Sequence, residues 1–188
     1  MRELLSGEVT RDAYACLLRN LHEIYFHLES GLNSRATHPG VAPIHLPALF
    51  RQTALEADLA ELQGADWPQA LPVHPAAHRY ARHLSEISGS RPELLVAHAY
   101  VRYLGDLAGG QLLRQLVTRN LNLQAGNAIR FYDFGPPEQT AALARRFREG
   151  MQVISSAGAA IDEIVGEAKY GFALHISLFS EIAGTPPA

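Results

Sequence analysis

Apolar residues recur at intervals of three and four along nearly the whole chain, which is the pattern of amphipathic helices. The first run, which Thr10 is placed to cap, contains Tyr14, Leu17, Leu18, Leu21, Ile24, Tyr25 and Leu28. Further helices are predicted from about Leu46 to Leu62, from Pro75 to Gly89, from Pro92 to Leu121, from Pro137 onward and from about Ala159 to Ile182. Sustained alternation of apolar and polar residues is missing, so the pattern predicts an all-α helical bundle that forms a single domain over residues 1–188.

Two segments interrupt the helical periodicity. The stretch from Gly31 to Pro47 holds three prolines and two glycines and is predicted to be a loop. The stretch from Asn122 to Pro137 carries no regular apolar pattern and is predicted to be irregular.

Charge and composition limit the classes of partner. The chain carries 16 basic and 19 acidic residues, so its net charge of −3 gives no basic surface for nucleic acid or an acidic membrane. No stretch approaches the ~18 uninterrupted apolar residues of a membrane span, and the first residues lack the apolar core of a signal peptide. The single cysteine, Cys16, is expected to be a buried free thiol. These features predict a cytoplasmic protein without nucleic-acid or membrane partners.

Three glycines interrupt the fourth predicted helix, at Gly105, Gly109 and Gly110. Each interior glycine costs about 1 kcal/mol of helix stability relative to alanine, so the set requires a physical reason. Close packing of a second helix against a flat groove is one reason, and the spacing alone favours it. The other is a flat ligand that lies against bare backbone, with the glycines also letting the helix bend.

Asp106 lies between these glycines, and Arg102 lies one turn before it on the same helix face. An unpaired buried charge is unfavourable, so a carboxylate is a costly choice for a dry packing surface and suits a pocket that holds water or a polar reactant. An Arg102–Asp106 pair on a solvated helix face is the competing interpretation. The residues alone leave both interpretations open.

The run from Leu94 to Gln111, LLVAHAYVRYLGDLAGGQ, closely resembles the signature of the haem oxygenase family. Further segments that resemble this family are Val9–Asp12, His22–Tyr25, Ala54–Leu59 and Glu167–Lys169 with Phe172, so the resemblance covers nearly the whole chain. It implies a haem-oxygenase-like helical bundle in which haem b is both substrate and prosthetic group. The haem would lie between a proximal helix that bears the axial histidine and a glycine-rich distal helix, here the fourth.

The resemblance also implies roles for individual residues. Asp106 matches the family aspartate that orders water on the distal side of the haem, and Arg102 and Tyr25 match members of its supporting polar network. The positions that match haem-contacting residues are Gly105, Gly109, Gly110, Tyr100, Arg148, Phe131 and Phe172, with the arginine as partner of a propionate. Without the resemblance, the aromatic residues at 25, 131 and 172 would be assigned to the core, and Tyr100 and Arg148 to the surface.

The sequence departs from the family pattern in two places. The family's axial histidine lies on a helix that ends just upstream of the position matching Met1, so we expect this chain to lack the proximal helix and its ligand. A start assigned to an internal methionine would explain that difference without new chemistry. A lysine that usually meets a propionate is replaced by Ala144. We also expect self-association through the proximal face that the missing helix would leave exposed.

A substitute for the axial histidine has to come from the nine histidines of the chain. The best placed is His175, which lies three residues after Phe172 on the same helix face. It stands where an asparagine is common in mammalian relatives. An iron-ligand role and a polar packing role are the two hypotheses for His175, and the packing role is favoured by the residues alone.

The leading functional hypothesis is the oxygen-dependent cleavage of haem to biliverdin, ferrous iron and carbon monoxide. It requires dioxygen and an external electron donor, such as a reductase or a ferredoxin. The alternative is a haem-binding protein for storage, transfer or sensing, which the missing axial ligand favours and the retained Asp106 disfavours.

A metal-dependent hydrolase or di-iron oxidase is a third hypothesis, and the spacing of potential ligands counts against it. His22 and His27 are five residues apart, so they diverge by about 140° around a helix and cannot easily share one metal. The repeated Glu-x-x-His pattern of a di-iron bundle is also missing.

Overall fold

The computed structural model describes residues 10–123, 127–156 and 161–184. Its α-helices are α1 (Arg11–Ser34), α2 (Gln52–Gln63), α3 (Trp67–Ala70), α4 (Pro75–Ser90), α5 (Leu95–Ala99), α6 (Gly105–Asn120), α7 (Pro137–Ser156) and α8 (Ile161–Ile182). Short 3₁₀ turns lie at Ala42–Ile44, Pro47–Leu49, Pro92–Leu94 and Arg130–Tyr132. These three described ranges contain no strand, in agreement with the predicted all-α class.

Helix α1 is the central element of the bundle. It packs against α2 on one side and α4 on the other, and it also contacts α5 and α8. Its apolar stripe supplies fully buried side chains such as Tyr14, Ile24 and Leu28. As predicted, the hydroxyl oxygen of Thr10 accepts a hydrogen bond from the backbone N–H of Ala13, at 3.2 Å, and caps the helix.

Helix α1 continues to Ser34, although the glycine and the prolines beyond it predict a loop from Gly31. The reason is a close helix contact at Gly31. A Cβ added there would lie 3.2 Å from the hydroxyl oxygen of Ser88 on α4 and 3.3 Å from the side chain of Leu95 on α5. The glycine therefore permits packing inside the helix and does not end it.

Helix α2 begins at Gln52, several residues later than the apolar pattern predicts. The carboxylate of Glu29 accepts hydrogen bonds from the backbone N–H of Arg51, at 2.5 Å, and of Gln52, at 3.1 Å. A side chain of α1 thus satisfies free donors at the start of α2, a tertiary contact that local sequence does not encode.

The fourth predicted helix is divided. A turn of π-helix at Tyr100–Leu104 separates α5 from α6, and α6 begins at Gly105. A π-turn inserts one residue into the helical register, so it changes the direction in which the side chains on either side point. In this chain it places Arg102 and Tyr103 in the interior.

An aromatic cluster lies beneath this π-turn. The ring of Tyr25 packs 5.6 Å from that of Phe131 and 6.0 Å from that of Tyr103, which in turn packs 6.2 Å from Phe147. All four rings are buried, so they fix Tyr25 against the segment that carries Arg102.

None of the described helices is both long enough and apolar enough to span a membrane.

Candidate active site

Arg102 is the centre of a buried polar group, which we call the distal cluster: Tyr25, Arg102, Asp106 and His175. The guanidinium donates to Asp106 Oδ1 at 2.9 Å, to the hydroxyl of Tyr25 at 3.1 Å and to His175 Nε2 at 2.6 Å. Arg102 is 8% exposed, so these contacts are shielded from bulk water. The structure therefore places the Arg102–Asp106 pair in the interior and not on a solvated helix face.

The carboxylate of Asp106 is held from two sides. Arg102 donates to one oxygen, and the hydroxyl of Tyr25 donates to the other. Burial raises the pKa of Asp106 above its usual range, although the charge of Arg102 and the hydrogen bond from Tyr25 oppose that rise. Burial also raises the pKa of Tyr25 well above its ordinary value, so the phenol remains a hydrogen-bond donor at neutral pH.

Both ring nitrogens of His175 are engaged in hydrogen bonds. Nδ1 donates to the carbonyl oxygen of Gly171 at 3.1 Å, and Nε2 accepts from Arg102, which can only donate. Burial lowers the pKa of His175 to about 3, so the ring is neutral. Because both nitrogens have hydrogen-bond partners, this arrangement favours the polar packing role, and the iron-ligand role of His175 stays a hypothesis.

An apolar cavity of about 300 Å³ adjoins the distal cluster. Its walls come from α1, α8, the segment from the π-turn into α6 and the 3₁₀ turn at Arg130–Tyr132. They include Leu17, Leu21, Gly105, Asp106, Phe131, Phe172, His175, Ile176 and Phe179. The predicted wall residues thus meet at one cavity, although Phe131 is buried and Phe172 is 53% exposed. Ile176 and Phe179 were not predicted, but each lies four residues after a predicted site residue, on the same helix face.

Two of the three glycines leave space beside their backbone. A Cβ added at Gly105 or Gly109 would meet no described atom within 4 Å, whereas one at Gly110 would lie 3.6 Å from the ring of Tyr132. A separation of 3.6 Å is an ordinary van der Waals contact, so close packing requires a glycine at none of the three positions. Gly105 and Gly109 present bare backbone to open space, as a flat ligand would require.

Tyr100 and Arg148 lie apart from the distal cluster. They line a neighbouring cavity of about 460 Å³, together with apolar residues of α7 and α8. Arg148 also borders a third cavity, of about 820 Å³, which Ala144 lines as well. Leu104 lines both of these cavities, and its neighbour Gly105 lines the one beside Asp106. The structure thus divides the predicted site residues into two groups, one beside Asp106 and Gly105 and the other beside Tyr100 and Leu104.

These features fit haem. The backbone at Gly105 and Gly109 is free of side chains and offers a flat surface. The cavity beside it is mainly apolar, and one buried carboxylate points toward it. On the far side of Leu104, Arg148 supplies the cation that a propionate prefers.

Comparison with known proteins agrees with this assignment. A family model described as Heme oxygenase matches residues 1–181. Heme oxygenase 1 of Nostoc sp. is 34% identical over 180 residues, which cover 96% of this chain and 76% of that protein. Heme oxygenase 1 of Homo sapiens is 38% identical over 184 residues, which cover 97% of this chain and 64% of that protein.

Solved structures of haem oxygenases have the same fold. Heme oxygenase-1 from Synechocystis sp. in complex with heme matches with a TM-score of 0.89 and 33% identity, over 97% of this chain and 82% of that one. Heme oxygenase from Leptospira interrogans matches with a TM-score of 0.90 and 32% identity, over 96% and 88% of the two chains. The chain therefore belongs to the haem oxygenase family, and its function is that of a haem oxygenase. The predicted family, fold class and function are confirmed.

Proposed function

We propose that this chain cleaves haem to biliverdin, ferrous iron and carbon monoxide with the distal cluster as its proton-handling machinery. The observation that carries the proposal is a buried Asp106, held by Arg102 and Tyr25, at the edge of an apolar cavity beside open glycine backbone. A protein that only stored haem would have little need of such a carboxylate.

Two groups of residues would bind the haem. Gly105 and Gly109 would let the backbone approach one porphyrin face, and Phe131 and Phe172 would form the walls of the cavity. On the other side of Leu104, Arg148 would pair with a propionate and Tyr100 would contact the haem edge. Gly110 faces the ring of Tyr132 at ordinary contact distance, and its proposed role is to keep the backbone of α6 bare beside Gly109.

When bound, haem supplies the iron that activates dioxygen and the porphyrin that is opened. Asp106 would hold a water molecule at the cavity and exchange protons through it, because its raised pKa brings the carboxyl closer to neutral pH. Arg102 and Tyr25 each donate to one carboxylate oxygen, so the two hydrogen bonds would fix the orientation of Asp106 toward the cavity. His175 accepts from Arg102 and, as a neutral ring, adds no second positive charge.

The reaction also requires dioxygen and electrons from outside the chain. We propose a reductase or a ferredoxin as the electron donor, because the chain itself shows no flavin or iron–sulfur motif. We place the protein in the cytoplasm, because Cys16 is a free thiol.

We further propose that the haem-free chain self-associates through apolar side chains of α8 that border the proposed haem cavities. Phe172 and Ile176 are 53% and 63% exposed there, and Val165 is 47% exposed. Apolar side chains gathered on one helix face favour association. Size-exclusion chromatography of the haem-free protein should show a dimer or a larger species, and a stable monomer at all concentrations would contradict this proposal.

Haem turnover tests the proposed function. The chain is mixed with hemin and a reductant under air, and loss of the Soret band and formation of biliverdin are followed in the presence of catalase. We expect biliverdin from the wild-type chain and almost none from Asp106→Ala. Haem that stays bound without biliverdin would indicate the alternative, a non-catalytic haem-binding protein.

A further inference from the structure

A second polar group lies where α4, α5 and α8 meet. His83 comes from α4, His98 from α5 and Glu167 from α8. The Nε2 atoms of both histidines approach the same carboxylate oxygen of Glu167, and the His98 contact measures 2.7 Å. Within the ranges that the structure describes, this is the one group of three metal-ligating side chains whose ligand atoms converge, all within 4.8 Å of one another.

The surroundings of the group fix the orientation of its histidines. The side chain of His98 is fully buried, and its Nδ1 lies 2.9 Å from the hydroxyl of Tyr80. The ring of Tyr170 packs against His83 at 5.0 Å. A Cβ at Gly171 would lie 3.1 Å from His98 Nδ1, so a glycine at this position makes room for the ring.

We propose that His83, His98 and Glu167 form a binding site for one divalent transition-metal ion of the Zn²⁺ class. Two imidazole nitrogens and one carboxylate oxygen are ligands that zinc prefers, at roughly 2.0–2.2 Å each, with a fourth position left to water. The metal would bind Nε2 of each neutral imidazole, with the ring proton held on Nδ1, and Nδ1–H of His98 would then donate to the hydroxyl oxygen of Tyr80. The contact from Nδ1 of His98 to Tyr80 supplies the outer hydrogen bond that metal-bound histidines usually have.

This site is distinct from the haem cavity and adjacent to it. The described residues that line the cavity beside Asp106 include none of the three ligands. Tyr80 connects the two regions, because its ring also packs edge-on against His175 at 5.1 Å. A bound ion would join α8 to α4 and α5 and thereby hold His175 against Arg102, independently of haem.

Zinc titration of the metal-free chain of residues 1–188 tests the site. Zn²⁺ is added in competition with a chromophoric chelator, with and without bound haem. We expect the chain to bind one equivalent of Zn²⁺ with a Kd in the micromolar range or lower. His83→Gln and Glu167→Gln should each weaken binding at least about tenfold, because each removes a ligand and keeps a hydrogen-bonding side chain. His78→Gln is the matched control, because His78 lies on the same helix, is 55% exposed and should not contribute.

Two further readouts separate a metal site from a hydrogen-bonded cluster. Zn²⁺ should raise the Tm of the wild type and of His78→Gln but not of the two ligand variants. With Co²⁺ in place of Zn²⁺, the absorption spectrum of the bound ion should differ between the wild type and Glu167→Gln, because the variant lacks the carboxylate ligand. The proposal would be overturned if the wild type bound no zinc, or if His83→Gln bound zinc as tightly as the wild type. The group would then be only a hydrogen-bonded contact between helices. Because haem turnover is not used, failure of this test is distinguishable from failure of the proposed function.

Discussion

Glu29 and Asp106 are both buried carboxylates whose pKa is raised by burial, yet they have different surroundings. Glu29 accepts from two backbone N–H groups and from Tyr103, and its partners connect α1 to the start of α2. Asp106 is held by two side chains and borders a cavity. A raised pKa alone therefore does not identify a catalytic carboxylate. Asp106 differs in that it has no backbone donor among its described partners and borders an open space, which is why we propose it and not Glu29 as the proton-handling carboxylate.

Removing the charged partner of Asp106 should have the largest effect on stability. Arg102→Met leaves Asp106 without its counter-ion and His175 without its donor. Loss of one partner from a buried pair typically costs about 3–5 kcal/mol. We expect about 3 kcal/mol in urea unfolding at pH 7, because the adjoining cavity lets water reach the carboxylate. A loss below about 1 kcal/mol would mean that the Arg102–Asp106 pair is solvated after all.

The corresponding change at Glu29 should lower the free energy of unfolding and leave haem binding unchanged. Glu29→Ala leaves the backbone donors of Arg51 and Gln52 without an acceptor, so we expect a loss of about 2–3 kcal/mol. Urea unfolding measures that loss, and haem affinity serves as the control that should not change. A marked drop in haem affinity would contradict the separation of the two carboxylates.

The two regions should also respond to pH in opposite directions. The pKa of His175 is lowered to about 3, so its contribution to stability is present above its unfolded pKa of about 6.5 and is lost as the pH falls. The pKa of Glu29 is raised to about 7, so its contribution is present at low pH and is lost as the pH rises through 7.

Comparison with His175→Asn isolates the histidine, because asparagine can still accept from Arg102 but does not titrate. When the pH is lowered from 7 to 5, we expect the free energy of unfolding of the wild type to fall by about 2 kcal/mol more than that of the variant. Unfolding curves at both pH values measure the shift. A pH-independent difference would show that His175 is not buried and neutral.

The smallest effect is expected at Gly105, where stability and ligand binding should change in opposite directions. Gly105→Ala should stabilise the haem-free chain by up to about 1 kcal/mol, because alanine favours the helix and nothing described lies within 4 Å of the added Cβ. The same methyl group should weaken haem binding. Gly150→Ala is a useful contrast, because a Cβ there would collide with the carbonyl of Pro43. Unchanged haem affinity in Gly105→Ala would mean that the ligand does not contact this backbone.

The sequence predicts most of the fold because the apolar periodicity is helical from Thr10 onward. It also singles out Asp106 and Arg102 as an unusual pair beside helix glycines, but the residues alone leave a pocket and a solvated pair equally open, and only the family resemblance favours the pocket. Contacts between distant segments are not encoded locally. Examples are the capping of α2 by Glu29, the continuation of α1 through Gly31 and the use of both nitrogens of His175. A single π-turn also changes the direction of the side chains around it, which periodicity alone does not reveal.

Biliverdin formation by Asp106→Asn and Glu29→Gln tests the central claim most directly. Both variants replace a buried carboxylate with an amide of the same shape, so each controls for the other. With hemin, reductant and catalase under air, we predict that Asp106→Asn lowers the initial rate by about 100-fold while Glu29→Gln stays within about twofold of wild type. Equal rates in the two folded variants would contradict the assignment of proton handling to Asp106.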